Sequence, residues 1–190
     1  MRDRLRRRPV TLVLTLGAAL AAARGAAQTP TPAPRLQPSP EMARLFRSFL
    51  GDWNVHEDFE VSGDRRGSSR DGTATFRESG GFSLVEDYHS DGSAGELRFL
   101  ALLWWEPGAR VYRVLTCAND DGCAMRGTAR WEGVALVNTF EEKGKDRTIV
   151  YRDSIADITP NSFTLISVGV SEGKTFWRVT TRYSRHGAAR

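Results

Sequence analysis

Acidic and aromatic side chains recur on one inferred face of several extended segments, and they are the residues whose types could carry chemistry. The predicted inner-face set is Glu57, Glu86, Tyr88, Trp131, Tyr151 and Asp153. Burying a carboxylate costs free energy unless it is paired, so these groups require a protein partner, water or a ligand. A few polar groups in a mainly apolar interior are typical of a small-molecule site. The set therefore predicts non-catalytic binding of a small, largely apolar molecule.

The acidic residues allow two other interpretations. Glu57 and Glu86 could serve as general acid and base if both reached one cavity, which would make the protein an enzyme such as an isomerase or hydrolase. Alternatively, strand bends turn the carboxylates outward, or they pair structurally with a cation such as Arg113, which is inferred to face inward.

Motifs for nucleophilic and metal chemistry are weak in this sequence. Residues 169–173, GVSEG, have the form G-x-S-x-G, but a nucleophile elbow requires a helix after the serine, and a strand-like segment follows. Ser171 is therefore predicted to lie in a hairpin turn. The three histidines, His56, His89 and His186, are predicted to face outward or to follow the last strand. The sequence predicts no metal site and no cofactor.

One helix is predicted just before these extended segments. Ser39 suits the N-cap, Pro40 the first helical position, and Glu41 the positive end of the helix dipole. Apolar residues then follow at helical spacing: Met42, Leu45, Phe46, Phe49 and Leu50. Gly51 is predicted to end the helix.

After Gly51 the apolar period changes to two, in segments of about ten residues separated by turn sequences such as SDGSAG and EPGA. Without a second helix to cross over, neighbouring strands must be antiparallel. The prediction is an all-β fold, an antiparallel meander β-barrel of about 8–10 strands with one short N-terminal helix. Aromatic side chains are expected to line or fill its interior: Phe59, Phe76, Phe82, Phe99, Trp105, Trp131, Phe140, Phe163 and Trp177.

The stretch FLGDWNV, residues 49–55, places G-x-W at the start of the first strand, directly after the helix. This arrangement resembles the lipocalin-like, or calycin, barrels, in which the tryptophan closes one barrel end and an arginine of the last strand lies across it. The resemblance implies a pair of Trp53 and Arg185, because Arg185 shares the apolar face of Tyr183. With DGTATFRESGGFSLVEDY and the closing YSR, residues 41–185 are similar to a bacterial exported barrel family known only as a domain of unknown function.

Cys117 and Cys123 are the two cysteines, and they flank the turn sequence ANDDG. In an exported protein an isolated pair predicts a disulfide, here a structural staple across a hairpin. A redox-active pair or half of a metal site are the alternatives. Opposing the two cysteines also places Val111 opposite Ala129.

Residues 1–27 have the charged, apolar and small-residue order of a secretory signal peptide, with cleavage predicted after Ala27. Residues 28–40 are predicted to be a Pro-rich linker, 41–186 the lipocalin-like barrel domain and 187–190 a tail. No cysteine stands at the predicted cleavage site, so no lipoprotein membrane anchor is expected. The predicted location is exported, either periplasmic or secreted.

The charge balance depends on that cleavage. The whole chain carries +4, from 27 basic and 23 acidic residues. Removal of the six arginines and one aspartate of residues 1–27 leaves 21 basic and 22 acidic residues, a net charge of −1. This balance predicts neither a nucleic-acid partner nor an anionic membrane partner.

An outward-facing apolar surface is predicted on one strand. Trp104 and Trp105 are adjacent and must point to opposite faces, so one tryptophan lies outside, beside Leu100 and Leu102. Such a surface would suit a homodimer, although a covering loop explains it equally well. A ligand-free interaction or structural module, active as a homodimer, is therefore the alternative function.

Overall fold

The computed structural model describes residues 37–61, 67–119, 122–143 and 147–187. The predicted signal peptide, residues 1–27, lies outside the described residues. So do most of the linker predicted for residues 28–40 and residues 188–190 of the tail.

The helix begins as its capping residues predict. The Ser39 side chain accepts a hydrogen bond from the backbone N–H of Met42 at 3.2 Å, Pro40 is the first helical residue, and the helix ends at Phe49. Ten strands follow within the described residues. In order, the elements are α1 Pro40–Phe49, β1 Gly51–Val61, β2 Ser68–Ser79, β3 Ser83–Gly92, β4 Leu97–Glu106, β5 Val111–Ala118, β6 Gly122–Glu132, β7 Ala135–Lys143, β8 Thr148–Ala156, β9 Ser162–Ser171 and β10 Lys174–Arg185.

The strands form a closed antiparallel meander barrel. Each strand pairs with the next one in the chain, and β1 pairs with β10 to complete the cylinder. Closure removes the two free sheet edges that an open ten-stranded meander would expose. The all-β prediction is confirmed, with the strand count at the upper limit of the expected range.

The two barrel ends differ because the hairpin turns of a meander alternate between them. The α1 end holds the packed core, where apolar side chains of the helix meet those of the barrel: Met42, Leu45, Phe46, Phe49, Trp53, Phe76, Leu84, Tyr112, Leu136 and Phe163. The opposite end, where β1, β3, β5, β7 and β9 end, lacks this helix. Any opening for a ligand is therefore expected there.

A β-bulge changes the predicted pairing of β5 with β6. Cys117 lies opposite Cys123, as predicted. The register then shifts by one residue between Leu115 and Arg113, so Ala129 lies opposite Tyr112 and not Val111. Gly127 sits in the bulge with a φ of 78°, a conformation that glycine adopts without strain. Its missing Cβ leaves room for the Thr139 carbonyl oxygen.

Two predicted interior positions lie outside. Arg113 pairs with Glu106 in a half-exposed ion pair, because Val114 and Thr116 supply the inner face of β5 instead. Phe82 is 62% exposed, since it lies in the turn before β3, which begins at Ser83. The Arg113 prediction took the wrong face of β5, whose even-numbered residues point inward, and the Phe82 prediction extended the alternation of β3 into the preceding turn.

A disulfide joins Cys117 to Cys123, as predicted, and links β5 to β6 at the turn between them. Among the described residues no helix is long and apolar enough to span a membrane.

Candidate ligand-binding cavity

Trp53 is fully buried at the α1 end of the barrel. Its indole N–H donates to the Phe49 carbonyl oxygen at 2.8 Å, and the Arg185 guanidinium lies 3.9 Å from its ring centroid. Arg185 also donates to the carbonyl oxygens of Leu50 and Pro160. A side chain at Gly51 would overlap the guanidinium, which explains why the residue two positions before the tryptophan is glycine.

Trp131 also belongs to this end and does not line the cavity. Its ring stacks on Phe49 at 6.5 Å and lies beneath the Arg44 guanidinium at 3.6 Å. Its indole N–H donates to the Tyr112 hydroxyl at 3.1 Å, and that hydroxyl donates to the Glu41 carbonyl oxygen. Trp131 therefore joins the helix to the barrel and is not a wall for a ligand.

A cavity of about 430 Å³ occupies the other part of the barrel interior. Strands β3 to β10 contribute to it, and its lining is mainly apolar: Leu97, Phe99, Ala101, Leu103, Val114, Ala118, Ala129, Leu136, Phe140, Ile155, Leu165 and Trp177. Residues at strand ends away from the helix, such as Leu97, Ala118 and Glu142, place its mouth at the end opposite α1. This size is within the range of small-molecule pockets.

Asp153 is the centre of a polar cluster within that apolar wall. The Ser167 hydroxyl donates to Asp153 Oδ1, and Asn138 Nδ2 donates to Asp153 Oδ2 at 3.1 Å. Burial raises the pKa of Asp153, and these two hydrogen bonds and the charge of Arg126 partly oppose the increase. The Asn138 side-chain oxygen is buried and has no hydrogen-bond partner among the described residues.

Glu86 lies in the cavity wall on β3. It accepts a hydrogen bond from the Tyr183 hydroxyl at 3.2 Å. Burial raises the pKa of Glu86 to about 8, and the nearby Glu57 carboxylate adds to the increase. At pH 7 Glu86 is therefore predominantly a neutral acid, able to donate a hydrogen bond.

The raised pKa of Glu86 predicts a pH-dependent stability. The folded pKa of about 8 exceeds the ordinary value of 4.5, so this contribution is fully present below pH 4.5 and is lost as the pH rises to about 8. Between pH 5 and 7.5 the free energy of unfolding should fall by roughly 3 kcal/mol because of this residue. Urea denaturation across this range measures the slope, and Glu86→Gln should flatten it. An unchanged slope in that variant would contradict the assignment.

Glu57 is buried but does not line the cavity. Its carboxylate accepts from Arg70 Nε at 2.6 Å and from the Ser90 hydroxyl at 3.2 Å. The partner is therefore Arg70, which lies directly opposite on β2, and not Arg113. Because Arg70 engages this carboxylate, the geometry does not favour Glu57 and Glu86 as an acid–base pair on one substrate.

The two tyrosines of the predicted set occupy different places. Tyr88 is buried and stacks on Phe99 at 4.4 Å, and burial raises its pKa well above the ordinary value. Its hydroxyl has no partner with hydrogen-bonding geometry among the described residues. Tyr151 lines the cavity, stacks on Phe140 at 4.7 Å and meets the edge of Trp177.

The histidines take part in surface pairs. His56 contacts Asp71 at 2.7 Å and Asp58 at 3.3 Å, and the hydrogen bond with Asp71 is the main cause of its raised pKa. His89 contacts Glu96, and His186 contacts Asn54. In the described part of the chain, no three His, Cys, Asp or Glu residues converge on a possible metal position. A depression of about 450 Å³ on the outer surface of β3–β5 is lined partly by Asp87 and His89.

The structure thus brings Glu86, Tyr151 and Asp153 of the predicted set to one cavity. Sequence reasoning missed Asn138, Ser167 and Arg126, which lie on three different strands beside them. Alternation could have placed Asn138 on the Leu136 face of β7, but a lone asparagine gives no further signal. Partners on separate strands become neighbours only after the register is known.

These features define a lipocalin-like ten-stranded β-barrel with a partly polar internal cavity. An S-type phycobiliprotein lyase from Guillardia theta has the same fold, with a TM-score of 0.54 at 10% identity over 78% of this chain and 94% of the lyase chain. Rv2717c of M. tuberculosis aligns over 79% of this chain and 99% of its own, at 12% identity with a TM-score of 0.45. A redesigned β-barrel bound to DFHBI aligns over 72% and 98%, at 14% identity with a TM-score of 0.41. No protein-family model matches the sequence, and no curated protein matches it.

Proposed function

We propose that the barrel binds a small, largely apolar molecule without catalysing a reaction on it. The observation that carries this proposal is the 430 Å³ cavity, whose apolar wall contains a few convergent polar groups. Aromatic and aliphatic side chains would bury the hydrocarbon part of the ligand. Glu86, Tyr151 and Asp153 would set its orientation.

A cavity-filling substitution tests this proposal. Thr116 lines the cavity, so Thr116→Phe should occupy ligand volume and cost roughly 1–3 kcal/mol of binding, about a 5- to 160-fold loss of affinity. Thr139 is exposed on β7, so Thr139→Phe is a matched control that should leave binding unchanged. Each protein is purified from its native envelope fraction, and its native mass is compared with its denatured mass.

The expected result is a bound small molecule on the wild type and the control, and its loss from Thr116→Phe. Retention of the molecule by Thr116→Phe would contradict binding in this cavity. The same denatured mass tests the cysteines, because the disulfide makes the chain two hydrogens lighter than its reduced form.

We also propose that the chain is exported, with Ala27 the last residue of the signal peptide. The Cys117–Cys123 disulfide supports export because such bonds persist in oxidising compartments. A mature mass beginning at Gln28 is the expected outcome.

A homodimer is the second candidate function. Two outward-facing apolar side chains support it, Leu100 at 47% and Met125 at 52% exposure, since a second copy could cover them. A ligand-free mass of twice the chain would favour this interaction module over the binding barrel.

A further inference from the structure

We propose that the ligand carries an organic ammonium group, which binds at Asn138 and Asp153 while its hydrocarbon part packs against the cavity aromatics. This inference rests on the binding function proposed above and specifies the chemical class of the ligand. Three features of the cavity support it: an unused acceptor, an excess of acidic over basic groups and a set of aromatic rings.

The unused acceptor is the Asn138 side-chain oxygen. Asn138 Nδ2 donates to the Asp153 carboxylate, so the amide oxygen of the same side chain must point away from it. That oxygen is buried without a partner among the described residues, on a side chain that lines the cavity. Leaving a buried acceptor unsatisfied is unfavourable, and a hydrogen bond from a ligand N–H group would remove that cost.

Acidic groups outnumber basic groups in the cavity lining. The lining contains the carboxyl groups of Glu86, Glu142 and Asp153 and the guanidinium of Arg126. The charge of Arg126 acts favourably on Asp153, and the excess of acidic over basic groups in the lining favours a cation over an anion.

The aromatic rings are suited to the same ligand. Phe99, Phe140, Tyr151 and Trp177 all line the cavity. Their π faces attract organic cations, and the attraction strengthens where water is excluded. An apolar wall, an acceptor and aromatic rings together therefore favour an amine with a hydrocarbon skeleton over a carboxylic acid of the same size.

Three probes with the same aromatic skeleton test this proposal: 1-naphthylmethylamine, 1-naphthylmethanol and 1-naphthylacetic acid. Binding is measured at pH 7 by titration calorimetry on the mature wild-type protein. We expect the amine to bind about tenfold more tightly than the alcohol, because a charge-assisted hydrogen bond contributes more than a neutral one. The acid should bind most weakly.

Asp153→Asn tests the position of the ammonium group. The new amide can still accept from Ser167, and rotation of the Asn138 amide would pair the two side chains, so the variant should fold with an unchanged or higher melting temperature. We expect the amine-over-alcohol preference to fall from about tenfold to within about threefold. Glu142→Gln removes the same charge near the mouth and should reduce that preference less.

The possible results distinguish a failure of the ammonium site from a failure of the proposed small-molecule binding. If the alcohol or the acid binds as tightly as the amine, the proposed ammonium site is wrong. The same holds if Asp153→Asn keeps the full preference for the amine. Neither result contradicts the proposed binding of a small molecule in the cavity. If no probe binds the wild type and its native mass carries no ligand, both proposals are wrong.

Discussion

Replacing Trp53 with alanine is expected to lower the free energy of unfolding by about 4 kcal/mol, within the range for removing a large buried aromatic side chain. Trp53 is 0% exposed, and its ring packs edge-on against Phe163 with centroids 4.7 Å apart. The substitution would leave a cavity between α1 and the barrel. It would also leave the Phe49 carbonyl oxygen without its indole donor and the Arg185 guanidinium without its aromatic surface. Urea denaturation at fixed pH measures the loss.

Two conservative variants divide this effect into its parts. Trp53→Phe keeps an aromatic ring but removes the indole N–H, and should cost less than the alanine variant. Arg185→Lys keeps the charge but loses the planar guanidinium that stacks on the ring and donates to both Leu50 and Pro160. If Trp53→Ala costs under about 1 kcal/mol, the helix is not held to the barrel by this residue.

Replacing Arg70 with methionine is also expected to cost about 4 kcal/mol, because it leaves the Glu57 carboxylate buried without its cation. The side chains of Glu57 and Arg70 are only 7% and 10% exposed. After the substitution the Ser90 hydroxyl would still donate to that carboxylate, but no cation would compensate its charge there. The substitution also removes the contact between the Arg70 guanidinium and the Phe59 ring, whose centroid lies 4.5 Å from the guanidinium carbon. Thermal unfolding and urea denaturation should agree on the loss.

The double variant Glu57→Gln with Arg70→Met is the informative control. Removing both charges should recover most of the stability that Arg70→Met loses, because no uncompensated ion remains. Arg77→Met provides a matched surface control, since the Arg77–Asp87 pair is about 60% exposed and should contribute less than about 1 kcal/mol. If Arg70→Met and Arg77→Met lower the free energy of unfolding equally, the Glu57 carboxylate does not depend on Arg70 for its stabilisation.

The architecture was predictable because its signals are local. A change of apolar period from the helix to the strands, a capping serine before Pro40, and repeated turn sequences all act within about ten residues. They were sufficient for the helix, the antiparallel meander and the hairpin that the Cys117–Cys123 disulfide links. They failed at the β6 bulge and at Phe82. At such places a shift of one residue along the strand moves a side chain from the inner to the outer face of the sheet.

The candidate site was predictable only in part. Asp153 and Tyr151 alternate with outward residues on β8, so their inward direction followed from the strand pattern. The pairing of Glu57 with Arg70 did not, because it requires the register of β1 against β2, which the alternation within either strand does not determine. Trp131 faces inward as expected, but α1 covers that end of the barrel, so its partners are Phe49 and Arg44.

By itself the sequence determined the fold class, the order of helix and strands, and the faces of most strands, because these depend on spacing along the chain. Only the tertiary structure decided which inward residues meet. Closure of β1 on β10 and the register of each strand pair place Asn138, Asp153 and Ser167 together on three adjacent strands. The α1 helix fills one end of the barrel and leaves the other hollow, so whether an inward side chain is core or cavity wall depends on its height along the barrel. That height is a long-range property, and no local pattern of residues encodes it.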